Sequence, residues 1–146
     1  MDKVTSSSHH HRLRTTLRWL LALVYVPFGI LHLTLTDQML PIMPPAIPYP
    51  RAVIIFTGLC EIAGGLALLL PATCKLAGVM LALYAIGVYP ANLHHAFNNV
   101  DVPGLPSSWW YHAPRLAFQP VFVWWALLAG GVVDWPFRRV QGNRNS

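Results

Sequence analysis

Five side chains in an otherwise apolar chain have the types and spacing to do chemistry together: His32, Glu61, Asn92, Arg115 and Gln119. An imidazole, a carboxylate, a guanidinium and two carboxamides could hold a polar ligand, carry a proton, or pin helices to one another. Glu61 stands out because it lies at the centre of the apolar run Ala52 to Leu70. An ionisable group at mid-bilayer costs roughly 2.5–3.5 kcal/mol on insertion scales, so a chain that keeps one gives it a partner or a task. On a helix its neighbours at three and four residues are Thr57, Gly58, Gly64 and Gly65. That face is small and polar, suited to the close approach of a second helix, and it places Glu61 inside a helix bundle rather than against lipid.

The elements that must position these groups follow from hydropathy. Of 146 residues, 55% are hydrophobic and 10% charged, a balance that points to a membrane rather than to a soluble core. Four runs reach the roughly 20 residues needed to cross about 30 Å of hydrocarbon: Leu17 to Leu35, Ala52 to Leu70, Leu76 to Leu93 and Leu116 to Val133. The expected fold is an all-α, four-helix transmembrane bundle over residues 17–135, between a polar, disordered tail (1–16) and a basic tail (136–146). The first run is too long for a signal peptide and is not followed by a clear small-residue cleavage site, so it is read as a span.

The formal charge of +5 does not signal nucleic acid, because the basic residues sit at span ends and form no stripe interleaved with aromatics. Lys3, Arg12, Arg14, Lys75, Arg138, Arg139 and Arg144 fall on one side of the bundle, and only Arg51 and Arg115 flank the other. The positive-inside rule then makes both termini cytoplasmic and turns the two longer loops outward. The bilayer itself is the expected partner, and homo-oligomerisation stays open. The expected location is a bacterial cytoplasmic (inner) membrane, crossed several times. Cys60 and Cys74 would lie roughly 21 Å apart on a continuous helix, beyond disulfide reach.

Local signals refine this picture. Pro27 and Pro90 interrupt the hydrogen-bond ladders of spans one and three. The stretch Met39 to Pro50 is too apolar for a solvated linker and too rich in proline for a helix, and reads as an ordered cap on the outer end. Gly78 with Ala82, Gly87 with Ala91, and Ala126 with Gly130 offer close helix contacts. Trp109, Trp110 and Tyr111 suit the headgroup level, and Trp135 the opposite interface. One of Trp124 and Trp125 is expected to pack inward with an acceptor for its indole N–H. Arg115 and Gln119 share a face at four-residue spacing. Depth is the difficulty for a single site: Glu61 lies about 13 Å into its span, His32 and Gln119 only about 4–6 Å into theirs. A Glu61 to Arg115 pair or a water-bridged cluster is left open.

Other chemistries fit poorly. A haem would need two inward histidines at matched depth, and most of the outer histidines lie in or beside a loop. The Ser6 to His11 tract reads as part of the tail rather than as a metal site, and no metal site is expected elsewhere. There is no paired-cysteine motif, phosphate loop, metalloprotease helix or nucleophile elbow.

Taken together, Gly29-Ile30-Leu31-His32, Met43-Pro44-Pro45-Ala46-Ile47-Pro48, Gly58-Leu59-Cys60-Glu61-Ile62-Ala63-Gly64-Gly65, Tyr89-Pro90-Ala91-Asn92 and Pro114-Arg115-Leu116-Ala117-Phe118-Gln119 resemble the DoxX-like family of small four-helix membrane proteins. Leu33 departs from the phenylalanine that often follows the histidine there. The resemblance implies a component of membrane redox processes, at most a subunit or partner of a membrane oxidoreductase, with quinone as the candidate ligand. On that reading Glu61, Arg115, Gln119, Asn92 and His32 contact a small amphipathic molecule beneath the cap. Two further readings stand beside it: a non-catalytic scaffold whose polar residues only hold helices together, and a small transporter in which Glu61 carries a proton.

Overall fold

A computed structural model describes residues 2–98, 100, 102, 106 and 108–134, with side chains described from His11 onward. The elements are α1 (Asp2–Thr34), α2 (Thr36–Met39), a 3-10 turn (Leu40–Ile42), α3 (Pro50–Leu69), α4 (Cys74–Phe97) and α5 (Trp109–Gly130). Among the described residues there is helix and turn but no strand. Three helical segments, His11–Thr34, Pro50–Leu69 and Cys74–Phe97, are long and apolar enough to cross a membrane. Large apolar side chains on them point away from the protein, among them Leu23, Phe56, Leu66, Leu76, Leu83 and Ile86. Such a surface is stable against lipid rather than against water.

The helix boundaries follow local chemistry. α1 begins at Asp2 and not near Leu17, because no proline or glycine before Pro27 stops the helix, so the expected tail is helical backbone. Trp135 and the basic tail 136–146 lie outside the described residues. α3 has Pro50 at its first position, where a missing N–H costs nothing, and is entered through Tyr49 at φ 52. α5 starts at Trp109, seven residues ahead of the expected span, because the Ser108 hydroxyl caps it by accepting the Trp110 N–H at 3.2 Å. It ends on Gly131 at φ 75, whose N–H returns to the Leu127 and Leu128 carbonyls. The stretch Met39 to Pro50, expected to be non-helical, takes in the last residue of the short α2 and the whole 3-10 turn, both ahead of the Pro44-Pro45 pair.

Packing is pairwise: α1 lies chiefly on α3 and α4 on α5, with α3 against α4 joining the two pairs. Glycines set both close contacts. A Cβ on Gly29 would fall 2.6 Å from the Gly58 carbonyl oxygen, and one on Gly58 would fall 2.8 Å from His32 Cβ. A Cβ on Gly78 would lie 2.7 Å from the Ala126 carbonyl oxygen and 2.8 Å from Gly130 Cα. Gly87, expected to mark another contact, faces open space with nothing within 4 Å of its Cβ position. The apolar core of Leu21, Tyr25, Leu68, Ala77, Leu81, Ala82, Ala126 and Ala129 fills the half of the protein nearest the 70–73 turn. In that half the Trp125 indole donates to the Leu17 carbonyl (3.2 Å) and Arg18 Nε to the Ala129 carbonyl (2.7 Å), tying α1 to the end of α5. Arg14 also pairs with Asp134 there.

Candidate functional site

The polar side chains gather in the other half, under α2 and the 3-10 turn. Glu61 is 6% exposed, and its Oε2 is hydrogen-bonded to His32 Nδ1 at 2.7 Å. The contact depends on the glycines: Gly58 lies under His32 Cβ, and Gly29 lies 3.0 Å, at its Cβ position, from Glu61 Cβ. The same pairing carries on to Gly65, which faces Tyr25 and Val26. This antiparallel register explains why the depth estimate failed to bring the two together. α1 stops level with the second turn of α3, roughly 8 Å below its start at 1.5 Å per residue, and α2 with the 3-10 turn covers the difference. Thr36, itself buried, donates from its hydroxyl to the His32 carbonyl at 2.6 Å and closes the end of α1 above the pair.

Arg115, Asn92 and Gln119 form a second group, apart from Glu61. Arg115 Nη2 donates to Asn92 Oδ1 (2.6 Å), Asn92 Nδ2 donates to Gln119 Oε1 (3.2 Å), and Gln119 Nε2 donates to the Ala85 carbonyl. Arg115 Nη1 also donates to His95 Nδ1 at 3.0 Å. A guanidinium can only donate, so His95 is neutral here with its proton on Nε2, and the ring also bonds to the Val100 backbone. His95 is 1% exposed, and the His112 ring meets it edge-on with centroids 4.7 Å apart. The Arg115 guanidinium lies over the Tyr111 ring, 5.8 Å from its centroid.

Tyr84 stands between the groups. Its hydroxyl is within hydrogen-bonding reach of Glu61, and it lies in electrostatic range of Arg115. It packs edge-on against Tyr25, which packs likewise on Phe122, and this aromatic layer separates the polar half from the apolar core. Above, His94 Nδ1 donates to the carbonyl of the buried Ile42 at 3.1 Å, and Arg51 pairs with Asp37, so the cap is latched to α4 and to α3. On the flank, Ile86, Tyr89, Gln119, Pro120 and Val123 line an open groove of about 330 Å³ between α4 and α5.

Thus all five predicted residues lie in the polar half, but as a His32–Glu61 pair and an Arg115–Asn92–Gln119 chain rather than as one cluster. No group of three or more histidine, cysteine or acidic residues among those described is placed to hold a metal ion. Residues 21–129 match the family model DUF8561, a domain of unknown function. The chain belongs to the DUF8561 family. No curated protein and no solved structure matches it. DUF8561 membership therefore fixes kinship without an activity.

Two contributors, Tyr84 and His112, were not singled out from the sequence, and a third, His95, entered only among the outer histidines weighed with His32 for a haem. Spacing carried a signal for two of them. His95 is three residues from Asn92, and His112 three from Arg115, so each shares a helix face with a residue that was identified. Tyr84 gave less, since a tyrosine in an apolar run is ordinarily core.

Proposed function

We propose that the chain is a DoxX-like, four-helix protein of a bacterial cytoplasmic membrane that binds a quinone beneath its cap as part of a redox-linked membrane system. The observation that carries the reading is the His32–Glu61 pair. A carboxylate that takes the Nδ1 proton of an imidazole fixes the tautomer and leaves Nε2 with a lone pair. Among the described residues nothing donates to that nitrogen, and His32 is 24% exposed on its side chain where Glu61 is 7%. The pair is built to accept a hydrogen bond from the hydroxyl of a reduced quinone head, with the Tyr84 hydroxyl beside it. The redox step itself belongs to a partner oxidoreductase. Titrating a short-chain ubiquinol or menaquinol analogue into detergent-solubilised protein is expected to quench tryptophan fluorescence saturably, and extracts of purified protein are expected to contain bound quinone. If no quinone copurifies and fluorescence does not respond, the reading fails.

In this reading α5 is the fourth span. Its 22 residues extend about 33 Å at 1.5 Å per residue, enough for the hydrocarbon core, and its polar side chains bond within the protein. Both termini then face the cytoplasm, as the distribution of Lys and Arg requires. Reporter fusions active only in the cytoplasm are expected to work at either end, and a fusion in the 98–108 loop only when the reporter is a periplasmic one. A periplasmic reporter active at one terminus would mean an odd number of crossings and overturn it.

One observation favours the scaffold alternative: Asn92, Gln119 and the Ala85 carbonyl satisfy one another, as groups holding α4 to α5 would. A scaffold retains its function in Glu61→Gln, which keeps shape and hydrogen bonding, whereas the quinone reading requires that variant to lose it.

A further inference from the structure

Arg115 differs from the paired arginines at either end. Arg14 is matched with Asp134 and Arg51 with Asp37, while the buried acid Glu61 is taken by His32. Among the described residues no carboxylate lies within ion-pair distance of Arg115, although the residue is partly buried. Its two bonds go to neutral acceptors, Asn92 Oδ1 and His95 Nδ1, which use two of five N–H donors. The rest of the fork is held in a fixed plane over Tyr111 with donors to spare. A second group nearby is also unmatched: His112, 2% exposed and in ring contact with His95, has a buried Nε2 with no hydrogen-bond partner among the described residues. One turn along α5, Gln119 joins this cluster to the groove lined by Ile86, Tyr89, Pro120 and Val123, whose other walls are almost wholly apolar side chain. The groove therefore lies one turn of α5 from the guanidinium, linked to it through Gln119 and Asn92, and runs along the side of two helices that face lipid.

We propose that Arg115 holds the phosphate of an anionic membrane lipid, with His95 and His112 beside it, and that one hydrocarbon chain of that lipid lies in the α4–α5 groove. The cation supplies the charge complement and the groove supplies the shape, so the occupant is an anionic glycerophospholipid and not a free anion. The site is separate from the quinone reading, because neither His32 nor Glu61 takes part in it.

Native mass spectrometry of the full chain in detergent, with phosphatidylglycerol or phosphatidylcholine added, tests it. One phosphatidylglycerol is expected to stay bound at concentrations where phosphatidylcholine does not, and Arg115→Gln is expected to weaken its binding at least tenfold while Arg51→Gln does not. Because Arg115→Gln also removes bonds to Asn92 and His95, a second variant keeps the cation and blocks the groove. Val123→Trp is expected to lose phosphatidylglycerol yet leave Arg115 in place. Equal binding of the two lipids, unchanged binding in either Arg115→Gln or Val123→Trp, or displacement of the lipid by millimolar inorganic phosphate would overturn the proposal.

Discussion

A Gly29→Leu chain is expected to lose the α1–α3 contact and with it the His32–Glu61 pair. A Cβ at this position meets the Gly58 carbonyl oxygen at 2.6 Å and Ile62 Cγ1 at 2.7 Å. One of these is backbone on the facing helix, so no rotamer change relieves it and the helices must part. Overpacking commonly costs about 1–3 kcal/mol where side chains can adjust. Here leucine adds three more carbons behind that Cβ, and the cost is expected to exceed that range. Gly87→Ala is the control: with nothing within 4 Å of its Cβ position, it removes a helix-weakening glycine and is expected to gain up to about 1 kcal/mol. Unfolding of both variants in mixed micelles by SDS, read by tryptophan fluorescence, decides the matter. Similar losses at Gly29 and Gly87 would show that the close packing of α1 on α3 is not what holds the site.

The His32–Glu61 bond is expected to show the largest coupling of any polar pair in the chain. Hydrogen bonds between helices within membranes average about 0.6 kcal/mol and reach about 1.7. This one is short at 2.7 Å and has one partner nearly sealed from the surroundings, which places it at the upper limit. A double-mutant cycle with His32→Phe and Glu61→Leu is expected to give a coupling near 1.7 kcal/mol, against a few tenths for Arg51→Gln with Asp37→Asn, where both side chains are more than half exposed. A Glu61→Gln chain, which keeps the bond, should fold normally and lose the quinone response, because an amide can hold the ring through the other tautomer and so turn an N–H, not a lone pair, toward the ligand. Coupling near zero at both pairs would leave His32 and Glu61 as neighbours without a bond.

The helices were legible because membrane spans are written in composition: three of the four runs reappear in long apolar helices, two of them within a few residues of the expected limits and the first with its expected end but a much earlier start. The glycine face around Glu61 was legible too, and Gly58 and Gly65 do face α1. Which partner Glu61 would meet was not. Depth counted from span ends assumes that adjacent helices end level, and α1 ends short because α2 and the 3-10 turn complete the crossing beside α3. Trp125 met the expectation of an inward indole with an acceptor. Arg115 did not reach Glu61, because its nearest acceptors, Asn92 and His95, sit on the helix packed directly against its own.

The Gly78–Gly130 contact has a mechanical meaning. It brings the backbones of α4 and α5 together at the end near the 70–73 turn, where no side chain lies between them to slide or compress. Toward the cap the same two helices are joined through the side chains of Arg115, Asn92 and Gln119. The pair is therefore jointed unevenly, backbone against backbone at one end and side chain against side chain at the other, with the lateral groove between the two joints.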